Sequence, residues 1–555
     1  MKGFRNKFLS GLAVTSLVAI SGGALPHVAS AASGQGYIRY AEPAEQTTLD
    51  PAGLGDDTAS RVMNMVFDSL VEYDQTDAGL HGGLAQRYTI SPDGKTYTFY
   101  IRKGVKFSNG DPLTAQDIVY NLNREASADP IGEGPAVWTG VFTDIVGYQQ
   151  WLDSKKTAKL GQTGMSGVTS PAPDVVQIKL SKPQPYFLNE LALDIGDIGD
   201  PAVEMKYGKN FSLHAVGTGP YKIKSWNQGH QLVLVPNPSS WRGNPKNKGV
   251  IVDENVSYDL QLLRFEKGEY DYIHGPLPSA IYAKVLASSN AKKDYITAPM
   301  NGVTYFAFNT TRAPFNNIDM RLAANYAVNK AEIIRDITNG RATPETQPLP
   351  PGIPGYNSTL KGYGYNPNLA RQYLKKAGYK GQPITIVYFA GGTDYTRLAD
   401  MIQQDLMAVG MKVQLKGISQ LGNYLTYEYN PKNPWDLTWS QWTQDYPDAQ
   451  DFLENLLATE SFKSNNLGNW TLPEFQKLVD TADALPASDQ AQRIADYQKA
   501  EKLADDNVCW LFLYNLWQDA LVQPWVSPRP NTHSGLMVYL HPVLKPQWNL
   551  MSTTH

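Results

Sequence analysis

The chain is almost free of cysteine: its 555 residues include one, Cys509. A lone cysteine cannot form an intramolecular disulfide, so burial of apolar side chains has to stabilise the fold. Cys509 lies within the apolar run 508–513. Such surroundings are typical of a buried small side chain and not of a reactive thiol.

Motifs of metal sites, cofactor sites and hydrolases are also missing. The eight histidines are scattered, and none forms a pair at the helical spacing of metal ligands. The Gly217-x-Gly219 turn lacks the third glycine and the helix of a dinucleotide-binding loop. Gly-x-Ser-x-Gly does not occur. We therefore expect no metal, no cofactor and no enzymatic activity; a secreted hydrolase is the alternative from another class.

The sequence has no excess of positive charge. It carries 49 Lys and Arg against 53 Asp and Glu, which gives a formal net charge of −4 at pH 7. A protein that binds nucleic acid or an anionic membrane surface usually carries a surplus of cations. The charge balance therefore argues against both as partners.

The first residues have the pattern of a secretory signal peptide. Lys2, Arg5 and Lys7 precede an uncharged, largely apolar run over 8–24, and small residues follow at 29–31. We expect cleavage near Ala31. No cysteine follows the apolar run, so we expect no lipid anchor there and a freely soluble protein, which suits a periplasm.

Residues 89–120 show the clearest local pattern in the chain. They predict a tight turn, a strand, a second turn and a helix. Tyr97, Phe99 and Ile101 alternate on one face of that strand, and Thr114 is placed to open the helix. Nothing in this segment is typical of a catalytic site.

A βαβ unit is predicted further along the chain. Residues 384–389 form a continuous apolar strand, the apolar positions of 398–409 share one helix face, and 411–415 resume a strand. Gly410 is placed to end the helix in a left-handed conformation. Parallel strands joined in this way bind ligands beyond their carboxyl ends. We therefore expect the loops near 391–396 to face a cleft.

A cluster of aromatic and acidic residues follows this unit. Residues 435–439 alternate as in a strand, and the chain is predicted to turn over 442–447 into a helix. Asp448 is placed as the N-cap of that helix, with Asp451 at its positive end.

Asp445 has no such structural explanation. It precedes the cap and lies among Trp442, Tyr446 and Pro447, where a carboxylate is partly dehydrated. A charge in such a position gains from an opposite charge, as the ammonium group of a ligand provides.

Several segments together resemble the oligopeptide-binding family of solute receptors that serve ABC importers. The resemblance covers nearly the whole chain after residue 31. It lies in 89–120, 217–221, 314–317, 320–323, 328–330, Trp442-x-x-Asp445 and 523–526.

The resemblance implies an α/β fold of the two-lobed periplasmic-binding-protein type II, with an extra subdomain inserted in the N-terminal lobe. We expect a monomer. The predicted domains are a signal peptide (1–31), lobe I (32–79), its inserted subdomain (80–185), lobe I continued (186–300), lobe II (301–525) and a C-terminal return to lobe I (526–555).

The resemblance also implies a function. Such receptors capture a peptide between the lobes and deliver it to the membrane permease of an ABC importer, whose ATPase subunits lie on the other side. Trp442 and Asp445 match the family's element for the peptide's α-amino group.

This chain departs from the family pattern at other ligand positions. Gly55 stands where short-peptide receptors often have a glutamate that supports the amine pocket. Trp439, Glu428 and Thr396 stand where basic side chains often bind the terminal carboxylate. Longer peptides, amidated peptides and an oligosaccharide or other small solute therefore remain alternatives for the ligand.

Aromatic side chains add candidates for the cleft, since their faces pack against peptide side chains or sugar rings. Packing in the core or on a lobe surface is the alternative for each of them. The predicted ligand-binding residues are Asp445, Trp442, Trp439, Thr443, Tyr446, Gly55, Trp138, Thr396, Glu428, Tyr514 and Trp517.

Overall fold

The computed structural model describes residues 36–53, 56–73, 79–132, 136, 139–430, 435–461, 465–527 and 551–553, and the backbone of 532–533 and 536–537. The predicted signal peptide, Gly55 and Trp138 lie outside the described residues. In the described part of the chain, no helix is long and apolar enough to cross a membrane.

Helices and strands alternate along most of the chain. The helices are α1 (Asp57–Val66), α2 (Ala115–Glu125), α3 (Tyr148–Ser154), α4 (Phe187–Leu191), α5 (Pro201–Tyr207), α6 (Tyr258–Glu266), α7 (Ser279–Ala287), α8 (Ala291–Asp294), α9 (Ile318–Ala327), α10 (Lys330–Ile337), α11 (Pro367–Lys376), α12 (Thr393–Ala408), α13 (Leu421–Glu428), α14 (Gln450–Leu457), α15 (Pro473–Asp483) and α16 (Gln490–Asp506).

The strands are β1 (Tyr37–Ala41), β2 (Val71–Tyr73), β3 (Leu80–Gly82), β4 (Ala85–Ile90), β5 (Thr96–Ile101), β6 (Val168–Ala172), β7 (Val175–Lys179), β8 (Tyr221–Asn227), β9 (Gln231–Pro236), β10 (Gly249–Asp253), β11 (Tyr272–His274), β12 (Tyr295–Pro299), β13 (Gly302–Phe308), β14 (Ala342–Pro344), β15 (Pro383–Phe389), β16 (Lys412–Ile418), β17 (Leu437–Thr443), β18 (Trp510–Val522), β19 (Val526–Ser527), β20 (Thr532–His533), β21 (Leu536–Met537) and β22 (Ser552–Thr553).

One large sheet runs through both predicted lobes, in the order β16-β15-β17-β13-β18-β11-β1-β10-β9-β8. Strand β18 joins its two halves. Residues 510–514 of β18 pair with β13 in lobe II, whereas 517–521 pair with β12 and 520–522 with β11 in lobe I. The chain therefore passes from one half of the sheet to the other inside a single strand, without a linker.

The predicted inserted subdomain contains a separate four-stranded sheet, in the order β4-β5-β7-β6. The strand prediction for β5 is confirmed, because Tyr97, Phe99 and Ile101 are buried on one face. The helix prediction is confirmed too. Thr114 is the N-cap of α2, and the Asp117 side chain accepts a hydrogen bond from the Thr114 backbone N–H, which completes a capping box.

The predicted βαβ unit is present as β15, α12 and β16, and the two strands pair in parallel. Gly410 ends the unit's helix with a φ of +106°, in the left-handed region that glycine favours. The loop is shorter than expected. Because α12 begins at Thr393, the predicted cleft residue Thr396 lies in its first turn.

Strand β17 is longer than its sequence pattern predicts. The expected turn from Trp442 is wrong, since Trp442 and Thr443 still pair with Val303 and Gly302 of β13. The backbone hydrogen bonds between β17 and β13 continue beyond the residues whose side chains alternate in polarity, because these bonds do not depend on side-chain polarity.

The core follows the division of the sheet into halves. One large cluster of buried apolar side chains fills lobe I, and two clusters cover the two faces of the sheet in lobe II. Cys509 is buried in lobe II, as its sequence context predicts, and burial raises the pKa of its thiol.

Candidate ligand-binding site

The carboxyl end of β17 leads into the candidate site. Residues 444–449 connect this strand to α14, and they are anchored by lobe II. The Gln444 backbone N–H donates to the Asn301 carbonyl at 2.9 Å, and the Asn301 amide donates to the Gln444 side chain at 2.9 Å. These bonds fix the segment that carries Asp445.

Asp445 and Asp451 form a pair of acidic side chains. The Asp445 backbone N–H donates to Asp451 Oδ2 at 2.8 Å, and Trp442 Nε1 donates to Asp451 Oδ1 at 3.4 Å. Asp451 is fully buried. Burial, together with the neighbouring Asp445, raises the pKa of Asp451. Asp451 therefore does more than favour the positive end of α14: it holds Trp442 and Asp445 in place.

The carboxyl group of Asp445 lacks a protein partner within the described residues, where no hydrogen bond or ion pair reaches it. Burial raises the pKa of Asp445 to about 8, and the negative charge of Asp57 contributes in the same direction. An opposite charge supplied from outside would reverse this effect.

Asp57 is a candidate site residue that the sequence analysis missed. It is the exposed first residue of α1 in lobe I, and it lies near enough to Asp445 of the opposite lobe for its charge to raise the pKa of Asp445. The preceding Asp56 caps α1 by accepting a hydrogen bond from the Ala59 N–H at 2.9 Å. One aspartate is enough to cap the helix. The second aspartate of the Asp56-Asp57 pair was therefore the sequence feature that could have indicated a functional residue here. The family register had pointed two residues earlier, to Gly55.

Asp448 has a different role from the predicted one. The N-cap of α14 is Ala449, although Asp448 Oδ1 does accept a hydrogen bond from the Gln450 N–H at 2.9 Å. The main partner of Asp448 is Arg493 on α16, whose guanidinium donates to both carboxylate oxygens at 2.5 and 2.6 Å. Both residues are buried. Asp448 is thus one half of a buried, bidentate ion pair.

Tyr446 packs between the lobes and is not an open ligand surface. It is buried, and its ring stacks on Tyr186 with centroids 6.5 Å apart and an angle of 5°. Its hydroxyl donates to the side chain of Gln450. The ring of Tyr446 belongs to the core cluster of lobe I.

Trp439 lies in an aromatic cluster. Its ring meets Tyr395 edge-on at a centroid distance of 4.9 Å, and Phe389 and Tyr424 lie at 6.5 and 6.2 Å. Trp439 Nε1 is buried and has no hydrogen-bond acceptor among the described residues.

Glu428 is buried and bonded to neighbouring side chains of lobe II. Its carboxyl group accepts hydrogen bonds from the Tyr424 hydroxyl and from Thr438 Oγ1, both at 3.1 Å. Burial raises the pKa of Glu428 to about 8. These bonds support Tyr424, one of the rings around Trp439, and a direct contact of Glu428 with the ligand stays a prediction.

Tyr514 and Trp517 lie on the joining strand β18. Tyr514 is buried opposite Thr304 of β13, and burial with nearby Tyr395 and Asp394 raises the pKa of its hydroxyl. Trp517 lies further along, opposite Pro299, where β18 has entered lobe I. The structure thus brings Tyr514 to the aromatic cluster and places Trp517 at the junction of the lobes.

The described residues contain no cluster of three or more His, Cys, Asp and Glu side chains that would hold a metal ion.

Comparison with known proteins agrees with this architecture. The structure of a periplasmic binding protein DppA from Helicobacter pylori in complex with peptide STSA superposes with a TM-score of 0.75 at 23% identity, covering 94% of this chain and 98% of that one. Haemophilus influenzae OppA in complex with RPPGFSPFR gives 0.74 at 21% identity, covering 94% of this chain and 100% of that one. The two-lobed periplasmic-binding-protein fold is therefore confirmed.

Relatives are also found by sequence. The "Probable D,D-dipeptide-binding periplasmic protein DdpA" of Escherichia coli K12 is 29% identical over 504 residues, which cover 88% of this chain and 90% of that protein. The glutathione-binding protein GsiB of Pectobacterium atrosepticum is 29% identical over 483 residues, covering 84% and 86%. The profile of the bacterial extracellular solute-binding proteins, family 5 (middle region), matches residues 79–464, and the chain belongs to this family.

Proposed function

We propose that this protein is a periplasmic receptor that captures a peptide by its amino terminus between the two lobes and delivers it to the permease of an ABC importer. The observation that carries the proposal is the Asp445 carboxyl group. It is half-buried near two further acidic residues, and no cation contacts it within the described part of the chain.

The arrangement suits an ammonium group. Asp445 lies in lobe II and Asp57 in lobe I, and the negative charge of Asp57 disfavours ionisation of Asp445. A positive group between them would favour the ionised form of Asp445 and attract both carboxylates in a partly dehydrated site. The α-amino group of a peptide has this charge, and hydrogen bonds to a charged carboxylate are strong.

Ligand binding and closure are coupled in this arrangement. A ligand that contacts Asp445 and Asp57 together stabilises the closed state, since the open state offers the two groups separately. The stacking of Tyr446 on Tyr186 brings the same two parts of the molecule together. A closed receptor then presents both lobes to the importer.

The comparisons support the peptide class by the names of the related proteins. DdpA is named for D,D-dipeptides and GsiB for glutathione, and two of the similar structures contain bound peptides. We further propose that the protein is a monomer without enzymatic activity, that residues 1–31 are its signal peptide, and that its domains have the predicted boundaries, except that lobe II ends within β18, whose residues 517–522 pair with strands of lobe I.

An oligosaccharide is the second candidate ligand, and the aromatic cluster around Trp439 favours it. A neutral sugar would leave the charge of Asp445 without a partner. Its affinity would therefore depend on Trp439 and hardly change on substitution of Asp445.

The test is a binding panel followed by native mass spectrometry. The protein is incubated with a mixture of random peptides of three to seven residues, the same mixture with N-acetylated termini, and neutral oligosaccharides. We expect capture of peptides with free amino termini alone. Asp445→Asn should lose this capture, whereas Asp506→Asn, on the exposed side of α16, should retain it. Capture of sugars only, or equal capture by the Asp445→Asn variant, contradicts the proposal.

A further inference from the structure

A second polar site lies on the same lobe, on one face of the sheet. Thr304 of β13 pairs with Gln441 of β17 and with Tyr514 of β18, so these three side chains are cross-strand neighbours on one face. Trp439 lies two residues from Gln441 on the same face, and Tyr395 at the start of α12 contacts its ring.

Polar atoms in this group lack partners. Trp439 Nε1 and Thr304 Oγ1 are buried without a hydrogen bond in the described part of the molecule. A buried donor or acceptor left unpaired costs about 1–3 kcal/mol, so native proteins rarely keep two of them on one face of a sheet without a reason. A ligand group that hydrogen-bonds to them would remove this cost.

The group faces the cleft. Tyr258, the first residue of α6 in lobe I, lies close enough to Tyr395 for the Tyr395 phenol to contribute, after burial, to the raised pKa of Tyr258. The Asp394 carboxylate in the first turn of α12 accepts a hydrogen bond from the Ser279 N–H of lobe I at 3.1 Å. Both lobes therefore meet at the aromatic cluster as well as at Asp445.

The charges around this group are unfavourable for an anion. The negative charge of Asp394 contributes to raising the pKa of the Tyr395 and Tyr514 hydroxyls. Arg397 lies one turn further along α12, but its guanidinium is held by Asp394 at 3.8 Å and by the Asp336 carbonyl at 2.9 Å. Among the described residues, no cation contacts Trp439 or Thr304.

We propose that Trp439, Thr304, Tyr395 and Tyr514 form a subsite that binds an uncharged amide of the peptide ligand, so that the ligand's second anchor is neutral and not a carboxylate. The indole N–H donates to the amide oxygen, and the aromatic rings pack against its plane. This inference rests on the proposed function, since it assigns the far end of the same peptide.

The length of β17 indicates which amide is bound. Strand residues rise about 3.3 Å each, so Trp439 and Thr443 lie about 13 Å apart, the span of about four extended peptide residues. A short peptide therefore brings its own terminus to Trp439. A longer peptide places an internal amide there.

The experiment compares carboxylate and carboxamide termini by native mass spectrometry. The probe is an equimolar mixture of random peptides of three to seven residues with free amino termini, half of them amidated. We expect about fivefold preferential capture of the amides at four and five residues, because a carboxamide N–H can donate to Thr304 Oγ1 and a carboxylate cannot, a difference of about one neutral hydrogen bond, and no preference at seven. Trp439→Phe should abolish the preference. Trp470→Phe, a buried tryptophan packed against Phe475, should keep it.

The outcomes separate the two proposals. Equal or preferential capture of the free acids at every length, or a preference that survives in Trp439→Phe, overturns the neutral subsite while the peptide function stands. Capture of no peptide at all overturns the proposed function and the subsite with it. A further variant sharpens the result: Trp439→Arg should reverse the preference towards the free carboxylate.

Discussion

Asp445 and Asp448 are three residues apart and have opposite electrostatic surroundings. Asp448 is buried against Arg493, which donates to both of its oxygens. Asp445 lies beside Asp451 and faces Asp57, and within the described residues no cation contacts it. The protein neutralises the buried carboxylate of Asp448, and it does not neutralise the half-buried carboxyl group of Asp445.

The difference separates stability from function. A buried charge costs several kcal/mol unless it is paired, so a fold keeps an internal partner wherever the charge only has to be tolerated. An unpaired acidic group at a cleft lowers the stability of the free protein. It also raises the affinity for a cationic ligand, because the ligand supplies the missing charge. The two residues should therefore respond differently to the same substitution.

The largest effect is expected on stability at Asp448. Asp448→Asn leaves the Arg493 guanidinium buried without its bidentate partner, and breaking such a pair costs about 3–5 kcal/mol. Urea denaturation followed by tryptophan fluorescence measures the change in the free energy of unfolding. A loss below about 1 kcal/mol would mean that Asp448 acts mainly through its bond to the Gln450 N–H.

The second effect is expected on binding at Asp445. Asp445→Asn should weaken the binding of a peptide with a free amino terminus by about 2–5 kcal/mol, since the ligand ammonium loses its charged partner. Isothermal titration calorimetry with the best peptide of the random mixture measures it. An affinity equal to that of the wild type would remove Asp445 from the site.

Relative to the wild type, the same variant should become more stable as the pH rises. The pKa of Asp445 is raised from 3.8 to about 8 in the folded protein, so the folded state holds a proton that the unfolded state has lost. Wild-type stability therefore falls between about pH 4 and pH 8, and the group's full cost is present above pH 8. Urea denaturation at pH 5 and at pH 9 should show the advantage of Asp445→Asn growing with pH. A stability advantage of equal size at pH 5 and pH 9 would contradict the raised pKa of Asp445.

A smaller effect is expected from the contact between the lobes. Tyr186→Leu removes the stack on Tyr446 but keeps an apolar side chain, so closure should lose about 0.5–1.5 kcal/mol and peptide affinity should fall about two- to tenfold. Tyr148→Leu is the matched control, because Tyr148 packs against Phe142 within the inserted subdomain. Equal loss of affinity in both variants would show a general effect of tyrosine removal.

The smallest effect is expected at Glu428. Glu428→Gln keeps a hydrogen-bonding side chain beside Tyr424 and Thr438, and the carboxyl group of Glu428 is already bonded to these two residues, so peptide affinity should change less than about twofold. Calorimetry under the conditions used for Asp445→Asn provides the comparison. A large loss would return Glu428 to the ligand site.

Local patterns in the sequence predicted the local structures well. The alternation of Tyr97, Phe99 and Ile101 and the cap at Thr114 depend on neighbouring residues only, and the structure confirms both. The left-handed conformation of Gly410 was predictable for the same reason. A glycine in this conformation ends a helix through local backbone geometry, whatever the helix packs against.

Contacts between distant segments were not predictable in this way. Arg493 is 45 residues from Asp448, and nothing around Asp448 indicates that the arginine will reach it. A family register likewise places Glu428 along the chain but does not indicate its hydrogen bonds to Tyr424 and Thr438. Asp57 and Asp445 lie in different lobes and are far apart in sequence, so no local pattern indicates that the charge of one acts on the other.

The most direct test of the account is the number of protons released when a peptide binds. Asp445 is mostly protonated at pH 6.5 in the free protein and has to be ionised to pair with the ligand ammonium. Calorimetry at pH 6.5 in buffers of different ionisation enthalpy should therefore show release of nearly one proton per peptide bound by the wild type, and none by Asp445→Asn. Affinity should fall about tenfold per pH unit below pH 7. Binding of the same peptide without proton release, or with equal release by both proteins, would contradict the assignment of Asp445 as the residue that binds the amino terminus.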